Sequence, residues 1–302
     1  MTPLQRYIAE EIATDHADGL LTRREAMRRL ALLGLGTAAA TALIAACGDK
    51  HPTTATSSRS STDSVAPGPP PGMENALEPT AVTWAGPGGT LQGSWAPAQQ
   101  PRGAVLVIHE NTGLTEWVRS VVGRLAGVGY SALAVDLLSE QGGTAAFGDP
   151  AQATAALGKI APEQFVADMR SGIDELQRRA PGAKVGIVGF CMGGGLVWQL
   201  LAAGEPRLAA ASPFYGPLPD NHDFAGSKQA AVLAFYGAKD NRVTSTAQAA
   251  QAALTQAGMV NQIVVEPDAD HAFFNDTKAR YNAAAAADAW QKLQDWFGRY
   301  LS

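Results

Sequence analysis

Cysteine is scarce in this 302-residue chain, with two residues, Cys47 and Cys191, in unrelated surroundings. Two such thiols exclude a disulfide framework, and each needs its own explanation. An excess of basic charge is also lacking. The formal net charge is −5, and the first 46 residues, with five arginines and five acidic groups, do not alter that balance. The chain therefore carries no electrostatic footprint for nucleic acid. It shows no His/Cys/Asp/Glu cluster at metal-ligand spacing and no dinucleotide fingerprint after a strand, so neither a metal nor a cofactor is implied. What remains is an ordinary globular composition, 46 % hydrophobic and 17 % charged, long enough for one large α/β domain or two small ones.

The amino-terminal residues read as an address. Thr22-Arg23-Arg24-Glu25-Ala26-Met27-Arg28 precedes an uncharged, small-residue-rich run from Leu30 to Ala46. A basic patch before such a run is the pattern of an export signal. Arg23-Arg24 resembles a twin-arginine signature, although Arg28-Arg29 also suits general export, and an uncleaved anchor is the rival reading. Ile44-Ala45-Ala46-Cys47 resembles a bacterial lipobox, which would make Cys47 a lipidated residue. Residues 1–47 are thus expected to direct the protein out of the cytoplasm and to hold it to a membrane only through a lipid. Residues 48–79, rich in Ser, Thr, Pro and Gly, are expected to act as a flexible tether.

From residue 80 to 302 apolar runs of strand length alternate with helical periodicity. A hairpin is expected at 81–95, then strands at 104–108, 131–136, 184–188, 208–211, 231–236 and 263–265. Helices are expected over 115–128, from Pro162 with Phe165, Met169, Ile173 and Leu176 inside, and over 280–300 with Trp290, Leu293, Trp296 and Phe297 on one face. The stretch 137–160 is less regular and is expected to contribute to a lid over the site. This alternation predicts an α/β fold with a mostly parallel sheet, helices on both faces and a site at the carboxyl ends of the strands.

Three strand ends carry chemistry. Gly189-Phe190-Cys191-Met192-Gly193 stands between a buried strand and a helix, the context of a nucleophile elbow, where tight packing demands glycines beside the apex. Asp240 follows the strand at 231–236, and His271 follows the last strand. Nucleophile, acid, histidine is the chain order of the α/β-hydrolase triad. Asp268 and Asp270 compete with Asp240 as the acid. His16 and His51 lie outside the fold, and His222 reads as a solvated histidine, as Arg242 reads as a solvated arginine. Glu110, directly after the strand at 104–108, places a carboxylate on the same edge. Trp117, Phe147, Trp198 and Phe214 serve equally as pocket walls or as core.

Together, Ile108-His109-Glu110-Asn111, the Cys191 elbow, Gly237-Ala238-Lys239-Asp240, Asp270-His271-Ala272-Phe273 and Tyr281-Asn282 resemble the dienelactone hydrolase (carboxymethylenebutenolidase) family of α/β-hydrolases over roughly 80–300. The resemblance implies nucleophile Cys191, base His271, acid Asp240, an oxyanion hole of the Met192 and Asn111 backbone amides, and a Glu110 that contacts the resting thiol. It also implies two arginines for the substrate carboxylate. The corresponding stretches here, 137–143 and 272–276, contain none. The expected reaction is therefore hydrolysis of a carboxylic ester or lactone, with an uncharged one at least as well suited as dienelactone, by a monomer that needs only its small-molecule substrate. Acyl transfer to another acceptor, or a thiol-redox or binding module on the same fold, are the rival readings.

Overall fold

Each apolar run that reads as a strand becomes part of one sheet. In the computed structural model, which describes residues 1–48 and 69–302, the strands are β1 (Thr80–Ala85), β2 (Thr90–Ala96), β3 (Gly103–Ile108), β4 (Tyr130–Asp136), β5 (Val185–Phe190), β6 (Leu208–Phe214), β7 (Ala231–Gly237) and β8 (Asn261–Glu266). Their spatial order is β1-β2-β4-β3-β5-β6-β7-β8. β1, β2 and β4 pair antiparallel, and from β4 through β8 every pairing is parallel. All residues of β3, β4, β5 and β7 are buried, so both faces of the central sheet are covered. That two-sided burial is why these runs are continuously apolar rather than alternating.

The helices, in chain order, are α1 (Pro3–Ala17), α2 (Arg23–Leu32), α3 (Thr37–Gly48), α4 (Glu116–Gly127), α5 (Pro150–Leu157), α6 (Pro162–Arg179), α7 (Met192–Ala202), α8 (Asn241–Thr244), α9 (Ala247–Gln256) and α10 (Ala283–Tyr300). α6 buries Phe165, Met169, Ile173 and Leu176, and α10 buries Trp290, Leu293, Trp296 and Phe297, the faces expected from their spacing.

The chain divides into two compact units. The larger contains residues 69–146 and 160–302 and therefore the whole sheet. Its first residues fall within the stretch expected to be a tether. Leu77 N–H donates to the Gly123 carbonyl at 3.0 Å. A side chain at Gly123 or Gly127 would collide with the Leu77 or Asn75 carbonyl, so two glycines of α4 make room for this segment. The folded domain thus begins near Pro69 rather than at residue 80, and the remainder of the expected tether, with His51, lies outside the described residues.

The smaller unit comprises the described residues of 1–68 with 147–159. Thr2 and Gln5 form a reciprocal cap on α1, with Gln5 N–H donating to Thr2 Oγ1 (3.1 Å) and Thr2 N–H to Gln5 Oε1 (2.9 Å). Arg28 and Arg29 pair with Glu25, lowering its carboxyl pKa to about 2, and Arg28 also reaches Asp149 at 2.7 Å. The run from Leu30 to Ala46 is not one helix. α2 ends at Leu32, Gly34 takes φ +89°, and α3 starts at Thr37. Among the described residues no helix is long and apolar enough to cross a membrane.

Candidate active site

The register of the sheet brings distant residues to one edge. Ile108 of β3 lies opposite Gly189 of β5, so Glu110 and Cys191, each two residues further on, leave adjacent strands at the same level. Phe190 pairs with Phe214, Phe214 with Phe235, and Gly237 with Glu266, which sets the ends of β6, β7 and β8 beside them.

Cys191 sits at the apex between β5 and α7 with φ 54° and ψ −119°, a conformation that L-residues rarely adopt. Such strain costs about 1–3 kcal/mol and persists where the surroundings over-determine it. The surroundings here are the flanking glycines: a Cβ on Gly189 would enter the Gly193 carbonyl, and one on Gly193 would enter the carbonyls of Ile108 and His109. Cys191 N–H donates to Phe214 O at 3.1 Å, and Met192 opens α7, whose first N–H groups have no intrahelical acceptor. The thiol is buried at 2 % exposure.

A ring nitrogen of His271 lies within 4.8 Å of the Cys191 sulfur. The other is engaged: His271 Nδ1 meets Asp240 Oδ2 at 2.6 Å, which leaves Nε2 for the sulfur. Burial opposes charge on the imidazole, but Asp240 and the sulfur outweigh it and hold the His271 pKa well above its usual value. Burial likewise opposes charge on Asp240, whose pKa is nonetheless lowered by His271, Arg242 and the Val243 N–H. Arg242 is half-buried and acts on Asp240, which corrects its reading as a solvated arginine.

The rival acids point elsewhere. Asp270 accepts the backbone N–H of His271 (2.6 Å) and pairs with Arg280, while the exposed Asp268 pairs with Lys239. His222 is half-buried against the Pro219 carbonyl, and His16 lies in α1 facing the Leu21 carbonyl.

Glu110 is buried, and its Oε2 accepts Asn275 Nδ2–H at 2.8 Å. Asn275 is itself fixed by Thr277, whose N–H and hydroxyl both donate to Asn275 Oδ1. The neighbouring Asp276 receives Trp117 Nε1–H (2.9 Å) and the buried Arg124 (2.8 Å). The arginines that touch this loop, Arg124 and Arg280, are thus committed to its own carboxylates.

Other members of the site were not singled out in the sequence. His109 is fully buried, with Nδ1 facing the Glu110 carbonyl at 2.6 Å and Nε2 accepting Leu137 N–H at 3.1 Å. Asp136, at the end of β4, accepts from Leu138 N–H, Thr144 N–H and the Thr144 hydroxyl, and Thr144 Oγ1 accepts Leu114 N–H. Tyr215, at φ 37°, sets its ring edge-on to His271, with centroids 5.2 Å apart. Burial, then the charges of Glu110 and Cys191, push its phenol pKa well above the usual value, which places all three groups in one neighbourhood. A buried tyrosine next to the expected Phe214 was the available signal. Trp198 and Phe214 are core: Trp198 stacks on Phe224, and Phe214 joins Phe190, Phe235 and Phe274 beneath the elbow. Trp117 is also buried, against Phe190, and Phe147 is half-buried in the smaller unit. Cys47 falls within α3 and is not disulfide-bonded.

The Dienelactone hydrolase family model matches residues 93–301. A relative from Escherichia coli (strain K12), described as "Putative carboxymethylenebutenolidase", is 34 % identical over 212 residues, covering 66 % of this chain and 78 % of that protein. The crystal structure of a "Putative Dienelactone Hydrolase" from Klebsiella pneumoniae superposes with a TM-score of 0.65 at 32 % identity, over 74 % of this chain and all of the other. A dienelactone hydrolase-like promiscuous phosphotriesterase from metagenomic libraries gives 0.63 at 26 % identity, over 75 % of this chain and all of the other.

Proposed function

Because the chain belongs to the dienelactone hydrolase family, we propose that it is a cysteine-dependent hydrolase of carboxylic esters or lactones. The observation that carries this reading is the alignment of Cys191, His271 and Asp240. A strained apex thiol stands beside an imidazole whose far nitrogen is held by a buried carboxylate.

In this reading His271 Nε2 takes the thiol proton, and the sulfur attacks the carbonyl carbon. The oxygen that gains charge lies between the N–H groups of Met192 and Asn111. His271 then gives its proton to the departing alkoxide, leaving a thioester. Water, losing a proton to the same nitrogen, cleaves that thioester and restores the thiol. Asp240 keeps the proton on Nδ1 and stabilises the imidazolium that forms twice per cycle.

Glu110 opposes this activation. Its negative charge near Cys191 disfavours the thiolate, so the resting thiol stays protonated until a substrate alters the contact. This would also limit oxidation of an exported thiol. An uncharged substrate is favoured by the commitment of Arg124 and Arg280 to Asp276 and Asp270. Export through residues 1–47 with lipidation at Cys47 completes the reading. Labelling with a radioactive fatty acid, lost in Cys47→Ser, tests that part.

The reaction is tested with a panel of neutral and anionic aryl esters and lactones, dienelactone included, on the full chain and its Cys191→Ala variant. Hydrolysis of neutral members by the parent alone is expected. Equal turnover by Cys191→Ala would refute the cysteine mechanism, and a preference for anionic members would refute the substrate class.

A further inference from the structure

We propose that His109 is a positioning residue that aims the Asn111 N–H at the oxyanion by anchoring the carbonyl on the other side of the same peptide unit. The inference rests on the reading of that amide as an oxyanion donor. The Glu110–Asn111 peptide bond is trans, as are all those described. In a trans peptide the C=O and the N–H point in opposite directions from one rigid plane. Whatever holds the Glu110 oxygen therefore sets the direction of the Asn111 hydrogen.

Two donors hold that oxygen. Gly113 N–H reaches it at 3.2 Å across a turn closed by Gly113 itself, at φ +87°. His109 Nδ1 reaches it at 2.6 Å. The ring has one possible tautomer there. Nε2 accepts Leu137 N–H at 3.1 Å and so carries no proton, which puts the proton on Nδ1, facing the carbonyl. Burial lowers the His109 pKa against the pull of Asp136, in keeping with a neutral ring. A charged ring would turn Nε2 into a donor facing a donor.

The chain of bonds thus runs from the Leu137 N–H through the imidazole to the Glu110 carbonyl, and emerges as the Asn111 N–H. Bonds in series polarise one another, so the last donor is strengthened as well as aimed. The strand-end loops joined by this ring are braced a second time: Asp136 holds Thr144, and Thr144 Oγ1 accepts Leu114 N–H at 2.8 Å. On the other side, the carbonyls of Ile108 and His109 lie against Gly193, which locks the loop to the elbow that supplies the second amide.

The test compares a neutral aryl ester with its thionoester, whose C=S accepts hydrogen bonds poorly, in the full-length protein. Turnover is counted per Cys191 alkylated by iodoacetamide, read on the Cys191 peptide by mass spectrometry so that Cys47 does not contribute. His109→Leu is expected to lower kcat for the oxoester about tenfold, with KM and the alkylation rate of Cys191 changed by less than about twofold. The parent's preference for oxoester over thionoester should shrink by the same factor. His109→Asn, whose amide nitrogen takes the place of Nδ1, should keep that preference, whereas His109→Gln, which reaches toward Leu137 instead, should lose it. An unchanged preference in His109→Leu overturns the proposal. If that variant does not fold, equal preferences in His109→Asn and His109→Gln overturn it. Failure of the underlying reading has a different signature: Cys191→Ala retains turnover, or the parent itself shows no oxoester preference, and the proposal then falls with it.

Discussion

Replacing Asp240 by asparagine should disable His271 by reversing its tautomer. The two carboxylate oxygens of Asp240 face different partners: Oδ1 meets Val243 N–H at 3.4 Å and Oδ2 meets His271 Nδ1 at 2.6 Å. In Asp240→Asn the amide oxygen keeps the Val243 N–H, which turns the NH2 group toward His271. Nδ1 must then accept, so the ring proton moves to Nε2, the atom needed to receive the thiol proton. The variant also removes the largest influence raising the His271 pKa against burial, so the imidazolium becomes harder to form. General-base catalysis contributes 10²–10⁴-fold, so kcat at pH 7 should fall by about 10³. Burial and the Glu110 charge both oppose the thiolate, so the deficit should narrow only as pH rises well above neutral, where hydroxide begins to form thiolate without a base. Steady-state hydrolysis of p-nitrophenyl acetate from pH 6 to 10, with iodoacetamide alkylation over the same range, measures both effects. A loss below about tenfold at pH 7, or a loss independent of pH, would refute the role assigned to Asp240.

Glu110→Gln should raise the alkylation rate of the resting enzyme at pH 7 by about tenfold, since one opposing charge at short range is worth about one pKa unit; an unchanged alkylation profile would remove the gating role. Asn275→Leu leaves the Glu110 carboxylate without its amide donor and should lower kcat by about threefold to tenfold while Thr277→Val, one bond further away, does less; circular dichroism and kcat/KM decide it. Asp168, buried in α6, has its pKa raised by burial and by Glu140 from 3.8 to about 7. A raised folded value means that its contribution to stability is complete below about pH 4 and disappears as pH rises through 7. Asp168→Asn should therefore match the parent in urea unfolding at pH 4 and exceed it by about 2 kcal/mol at pH 8, half of the roughly 4 kcal/mol that this shift represents, once solvent screening is allowed for. Gly193→Ala drives a methyl into two backbone carbonyls that cannot yield, and should cost more than about 3 kcal/mol, read as lost soluble expression or a lowered urea midpoint.

Much of this architecture is legible in the residues because its physical causes are local. Strands buried on both faces must be apolar throughout, as Val105-Leu106-Val107-Ile108 is, and an elbow that abuts its own helix must be flanked by glycine, as Cys191 is. Helical spacing marks the buried faces of α6 and α10. The order of Cys191, Asp240 and His271 along the chain, each just past a strand, is likewise local information.

Tertiary structure decided the partners. Sequence alone leaves Asp240, Asp268 and Asp270 in competition, because which carboxylate meets a ring nitrogen depends on side-chain direction across a sheet edge, not on proximity along the chain. Only the fold shows that Asp270 serves a backbone amide and Arg280 while Asp240 takes the ring. The same holds for Asn275, visible in the sequence as a place without arginine but revealed by the loop after β8 as the clamp on Glu110. His109 gives no local sign of its role, since its two bonds join the ends of β3 and β4, which become neighbours only when the sheet forms. The sequence determined which strand ends carry reactive groups, because burial and turn sterics act over a few residues. The direction in which each group points was settled by register and long-range hydrogen bonds, which exist only in the assembled sheet.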